Sequence, residues 1–343
     1  MTEKDKQRIT MEQFNDISKH VEKAQGDKAR FLKSKEGLLP HFEFPTGETQ
    51  EEKQFSKETL LADIMDERIE KAKEMMENPI LLENVYRDLQ NNATQGSKKE
   101  GENRGNASWA FHALSALIST NFFSHLSFEK QNKINSHLEN PTLLENAYRE
   151  LQNSAIQSSE KEGKNITDAS LALWTISALI STNSLSRFFP RQQSEIASYL
   201  ENPILLENAY RDLQYDTTQG SQKERENTDN AHWAFRTLFA FITTGLFSRL
   251  SPEKQNEINS YLENPILLEN AYRDLQYDTT QGSEKEGKST SHAYWSFQTL
   301  SAFATIKDYL REKGKKIDDE NFAKEALNPT EKIPPRPEGR LGK

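Results

Sequence analysis

Along Glu201–Gln214 the residues Leu206, Ala209, Tyr210 and Leu213 recur at helical spacing and define one apolar face. Asn202-Pro203 opens that helix, because Asn caps free amides and Pro at the first position loses no hydrogen bond the helix would have made. A polar stretch, Tyr215–Asn227, predicts a loop. A second helix follows, carrying Ala231, Trp233, Ala234, Phe235, Leu238, Phe239, Phe241 and Ile242. It is apolar nearly all round, so it is expected in the middle of the packing. Gly245 falls where a left-handed residue would stop it. The third helix opens at Ser251-Pro252-Glu253 and carries Ile258, Tyr261 and Leu262 on one face.

This pattern occurs four times, with starts at Glu77, Glu139, Glu201 and Glu263, a constant spacing of 62 residues. Residues 201–221 and 263–283 are identical letter for letter. The other loops are Asn91–Asn103, Asn153–Asn165 and Tyr277–Ser289. The second helices of the sister copies start at Ala107, Ala169 and Ala293, and Asn121 and Asn183 match Gly245. A fixed period of this length is the signature of stacked repeats, each burying its flank on its neighbours. The columns Trp109, Leu171, Trp233, Trp295 and Phe111, Leu173, Phe235, Phe297 are expected to supply much of that burial, at about 1.5–3 kcal/mol per large side chain.

The fold expected is therefore all-α: an α-solenoid of four three-helix repeats with helical caps. Residues 1–54 form a charged N-terminal region. In it Thr10-Met-Glu-Gln13 has the form of a capping box before Phe14, Ile17 and Val21, and Pro40, Pro45 and Gly47 mark a linker. A capping helix is predicted over 55–76, the array over 77–327 with a closing helix near Asp318–Leu327, and a disordered Pro-rich tail over 328–343. The plan resembles α-solenoids of the armadillo and HEAT kind, although their repeats are shorter and their consensus motifs are absent here.

Composition narrows the function classes. Only 34% of residues are hydrophobic, 28% are charged and mean hydropathy is -0.86, which suits an elongated array with a large solvated surface. A net charge of -9 argues against a nucleic-acid partner, which needs clustered Lys and Arg. With no Cys, disulfides, thiolate metal sites and thiol nucleophiles are excluded. Neither an apolar leader nor a membrane span is legible, so a soluble cytoplasmic protein is expected.

Gly282-Ser-Glu-Lys-Glu-Gly287-Lys288-Ser289 fits the spacing of a phosphate-binding P-loop, but it leaves a predicted helix where such loops leave a strand. The His residues form no column: His112 aligns with Trp174, Arg236 and Gln298, His232 with Ser108, Ser170 and Tyr294, and His137 with Tyr199 and Tyr261. They read as surface or packing residues, and no catalytic, cofactor or metal residue is assigned.

Three recurrent features remain. Glu83, Glu145, Glu207 and Glu269 precede Arg87, Arg149, Arg211 and Arg273 by four residues, the spacing of helical ion pairs. Asn84, Asn146, Asn208 and Asn270 stand beside them, and the column resembles the Asn ladder with which armadillo arrays hold extended peptides. These Asn and Arg residues are the expected protein-binding face. A second column, His125, Arg187, Arg249 and Arg311, is placed to compensate the dipole at the end of the second helix. In the tail, Pro335, Pro337 and Arg340 fit P-x-P-x-x-R, which resembles ligands of endocytic-adaptor SH3 domains.

The function expected is a non-enzymatic protein–protein interaction scaffold. The Asn-, Lys- and Glu-rich composition and fresh duplications suit a bacterial secreted effector acting in a host cell. The alternatives are a nucleotide-dependent enzyme using Gly282–Ser289 and a structural spacer.

Overall fold

The computed structural model describes the backbone of residues 57–327 and the side chains of residues 61–313, and all the regular structure in it is helical. A leading helix, α1 (Lys57–Met76), precedes the first copy, α2 (Pro79–Gly96), α3 (Arg104–Ser119) and α4 (Phe128–Leu138). The second copy is α5 (Pro141–Ser159), α6 (Ile166–Ser181) and α7 (Pro190–Leu200). The third is α8 (Pro203–Gly220), α9 (Thr228–Thr243) and α10 (Pro252–Leu262), and the fourth is α11 (Pro265–Ser283) and α12 (Thr290–Leu327). The short N-terminal helix and linker expected before residue 55, and the tail after 327, lie outside the described residues.

The predicted caps form. Asn202 Oδ1 accepts from the amides of Ile204 at 2.9 Å and Leu205 at 3.2 Å, and Ser251 Oγ accepts from Lys254 at 3.4 Å. Asn121, Asn183 and Gly245 have φ of 66°, 52° and 72°, the left-handed stop expected of them. The first helix of each copy runs further than its apolar face suggests, so the loops are only 97–103, 160–165, 221–227 and 284–289. Its last turn lies directly on the first turn of the second helix. A Cβ at Gly96, Gly220 or Gly282 would stand 2.7 Å from the backbone nitrogen of Ala107, Ala231 or Ala293, and Ser158 takes that place in the second copy.

Neighbouring copies pack as helical repeats do, but the ends do not stand apart as in an open solenoid. The inner helices α3, α6, α9 and α12 pack each on the next, and α12 packs back on α3 and α2. Rings meet across this seam: Trp109 and Trp295 have centroids 5.5 Å apart, and Phe122 and Phe297 5.1 Å apart. The helices therefore close into a ring around α3, α6, α9 and α12, whose side chains Phe111, Leu173, Phe235 and Phe297 are all fully buried.

The leading helix completes this closure. The fourth copy has no short third helix, because α12 runs unbroken to Leu327 where a separate closing helix was expected. α1 occupies the missing position. Counted back by one period, its Arg68, Ala72 and Met76 align with Lys130, Ile134 and Leu138 of α4, and Ala72 and Met76 are as buried as those residues. Arg68 lies over the Tyr272 ring at 5.1 Å, as Lys130 lies over Tyr86 at 4.9 Å and Lys254 over Tyr210 at 4.6 Å. It also donates to Leu268 O at 2.7 Å and pairs with Glu269 at 3.0 Å. α12 packs along α1, with Lys307 3.1 Å from Asp66 and Arg311 paired to the same carboxylate. α1 is not the cap of a free end: it joins the first copy to the last.

Candidate functional site

Of the expected protein-binding face, the Asn column is turned inward, while Arg87, Arg149, Arg211 and Arg273 remain partly exposed. Asn84, Asn146, Asn208 and Asn270 are fully buried. Asn146 Nδ2 donates to the carbonyls of Gly96 at 2.8 Å, Lys99 at 2.9 Å and Glu102 at 3.1 Å, while its Oδ1 accepts from Gly101 N at 2.6 Å. Asn208 and Asn270 hold the loops after α5 and α8 in the same way. Asn84 holds the loop after α11, which belongs to the last copy. Each amide thus clamps the loop of the preceding copy and has no atom left for a partner.

Arg87, Arg149, Arg211 and Arg273 make the expected pairs with Glu83, Glu145, Glu207 and Glu269 at 3.1, 2.8, 3.2 and 2.8 Å. They also reach Glu286, Glu100, Glu162 and Glu224 on the preceding loops. The second basic column serves a different helix from the one expected. Arg187 and Arg249 donate to Leu138 O at 2.9 Å and Leu200 O at 3.3 Å, the carboxyl ends of α4 and α7.

The P-loop spacing at Gly282–Ser289 is not built as a phosphate cradle. It leaves α11, and Asn84 occupies the Gly287 amide and three carbonyls of the segment. Pro335, Pro337 and Arg340 lie outside the described residues.

At the axis of the ring, His112, Trp174, Arg236 and Gln298 come together, one from each copy. All are buried. Arg236 lies 4.3 Å from the Trp174 ring centroid and 5.1, 5.5 and 5.4 Å from those of Trp109, Trp233 and Trp295. Its Nη2 donates to His112 Nδ1 at 2.8 Å and to the Tyr294 hydroxyl at 3.1 Å. Burial, and then the neighbouring guanidinium, holds His112 well below the usual imidazole range, so it is the neutral acceptor here. Indole faces in place of a carboxylate keep the cation in the core. The hub is nearly filled: the cavity lined by Ser115, Ser177, Phe239 and these residues measures about 10 Å³.

Titratable groups gather between copies, where the sequence reading assigned none. Asp88, Glu150, Asp212 and Asp274 form an acidic column on the first helices, and burial raises Asp88, Glu150 and Asp212 above the usual carboxylate range. Asp216 and Asp278 follow one turn later. Burial, and then the adjacent Asp212, pushes Asp216 up to about 7 against the hydrogen bond from Asn230. Burial and Asp274 push Asp278 up to about 6, opposed by His292 and His232. His232 Nδ1 lies 3.2 Å from Asp274 Oδ2 and 2.6 Å from Thr299 Oγ1, and His292 Nδ1 lies 2.6 Å from Asp278 Oδ1. His232, read from sequence as a surface or packing residue, is buried in a group of facing side chains. Folding the sequence onto its period would have exposed the acidic column, but the His pair comes from two inner helices and needed the packing.

An open groove of about 320 Å³ on the outside is lined by Arg104, Glu145, Arg149, Gln152, Asn153 and Ile156. Arg104 stands where the sister copies have Ile166, Thr228 and Thr290, and Ile156 where they have Thr94, Thr218 and Thr280. Ile156 is half exposed.

The class these features define is a closed ring of helical copies with a polar axis. No family model matches the chain, and no curated protein and no solved structure matches it. Among the described residues, no helix is long and apolar enough to cross a membrane.

Proposed function

We propose that the protein is a non-enzymatic scaffold in which four copies of about 62 residues act as one closed body for a protein partner. The observation that carries this reading is the groove beside α5. In a molecule built of near-copies, Arg104 and Ile156 both depart from their columns and face the same groove. An exposed guanidinium beside an exposed aliphatic side chain suits a partner segment with an acidic residue next to an apolar one. The filled hub supports the same choice, because its cavity is too small for an organic substrate. The Asn column then serves the rigidity of the scaffold.

The test is affinity capture from a eukaryotic lysate with the full chain, with Arg104→Thr/Ile156→Thr, and with a chain ending at Leu327. The substitutions introduce residues that sister copies already carry, so folding should be preserved. A protein retained by the full chain and the truncation but lost with the double substitution supports the groove. Loss only on truncation moves recognition to Pro335, Pro337 and Arg340. Capture that none of these changes alters refutes both sites.

A further inference from the structure

The outer helices α8 and α11 carry the same acidic pair, Asp212/Asp216 and Asp274/Asp278, within identical sequence. Their partners differ. Asp216 faces Asn230 at 2.8 Å, and Ser170 aligns with His232. Asp274 and Asp278 instead meet His232 and His292. At this one interface, a ring nitrogen of His232 and one oxygen each of Asp274 and Asp278 lie within 4.8 Å of one another, all from buried residues. His232 turns its Nδ1 to this group, 3.2 Å from Asp274 Oδ2 and 2.6 Å from Thr299 Oγ1, and its Nε2 is buried without a hydrogen-bond partner.

We propose that His232, Asp274 and Asp278 bind a divalent first-row transition ion of the Zn²⁺ type, pinning the third copy to the fourth. The donor set fits. Two carboxylates balance the charge of the ion, and a neutral imidazole favours a transition metal over Mg²⁺ or Ca²⁺, which take oxygen ligands. Ligands about 2.1 Å from a common ion stand roughly 3–4 Å apart, so a small inward movement of the three side chains completes the site. Asp274 and Asp278 are spaced i, i+4 on α11 and so share one helix face, while His232 reaches them from α9. His292 holds Asp278 Oδ1 and orients that carboxylate, the part played by an outer-shell partner. The His292 side chain is about a third exposed, at 35%, and packs edge-on against Tyr277 at 5.6 Å, which puts the rim of the site near solvent. Loading the ion displaces protons from any protonated member of the group, so affinity should rise with pH.

The bland alternative is a proton-balanced cluster of two His and two Asp residues. A matched substitution separates the two, because His232→Ser/His292→Asn turns this interface into a copy of the one between α6, α8 and α9. The full chain, stripped with chelator, is titrated with Zn²⁺ by calorimetry and thermal melting, and with Co²⁺ by visible absorbance. The expected result is one ion per chain, a rise in Tm of several degrees and ligand-field bands with Co²⁺, all lost in the double variant. His292→Asn alone should weaken binding roughly 10–100-fold without abolishing it. Asp278→Asn, which places the residue found at Asn92, is the second disabling variant should the double one fail to fold. No stoichiometric uptake by the full chain, or equal uptake by the disabling variants, overturns the proposal.

Discussion

Asn146 satisfies three carbonyls and one amide of the loop before it, so its removal should be felt as lost stability. Asn146→Ala is expected to cost about 2–3 kcal/mol in urea unfolding, because buried loop groups lose their partners together. Asn146→Asp should be worse, since a carboxylate cannot donate to the carbonyls it would face. One loop position carries a mismatch of the opposite kind. Gly101, Gly163 and Gly287 have φ of 81°, 75° and 73°, and Arg225 takes the same conformation at 72°. Arg225→Gly is expected to stabilise by about 1 kcal/mol, because a side chain is disfavoured in that region, and the same urea midpoint reads it. Asp216 gives a pH signature. Its carboxyl is raised from 3.8 to about 7, so the folded state keeps a proton that the unfolded chain releases. The associated stability is complete below about pH 4 and is lost as pH rises through about 7. Asp216→Asn should flatten that fall and leave the protein more stable at pH 8 by about 2–4 kcal/mol.

At the scale of the element, α1 shows where the sequence could be read and where it could not. The Asn-Pro starts, the Ser251 cap and the left-handed stops at Asn121, Asn183 and Gly245 are local chemistry, and each appears where its residues placed it. The role of α1 depends on register. Ala72 replaces the Ile of its sister helices, and α1 has 20 residues against the 11 of α4, α7 and α10, so its likeness to them is weak until Arg68 is seen on Tyr272. The Asn column was legible as a column, but its direction was not, because a linear pattern does not say which neighbour a polar residue faces. The His232 cluster joins His232 to an acidic pair that begins 42 residues further on, on a different helix, a juxtaposition that only packing supplies. α1 also yields a comparison. Arg68→Ala removes a buried guanidinium from Leu268 O and Glu269 and is expected to cost about 2–4 kcal/mol. Lys130→Ala, at the aligned but more exposed position, should cost no more than about 1 kcal/mol. Melting curves of the two variants read the difference, and equal losses would deny α1 its closing role.

For the whole molecule, closure changes what a copy is worth. In an open array each repeat touches only its neighbours, so stability is nearly a sum and a copy can be removed at a proportionate cost. Here the last copy is bonded to the first: Asn84 donates to Gly282 O at 2.7 Å, and Trp109 meets Trp295. The hub needs one residue from each copy around Arg236, and three copies of the same curvature cannot complete the circle. Deleting residues 139–200 joins Leu138 to Glu201 in register and leaves the contacts within each remaining copy intact. The full chain should unfold in urea as one transition, with circular dichroism and Trp fluorescence coincident. The three-copy chain should lose its near-ultraviolet Trp signal and its single sharp transition while keeping helical content, because the seam between α12 and α3 has nothing to close on. If it instead unfolds as sharply, with stability and m-value reduced in proportion to length, the copies are additive and the seam contributes little. The choice between those results sets how a partner is held. A ring that unfolds as a unit presents the groove at Arg104 and Ile156 on a fixed frame, so binding there should need little ordering of the scaffold itself.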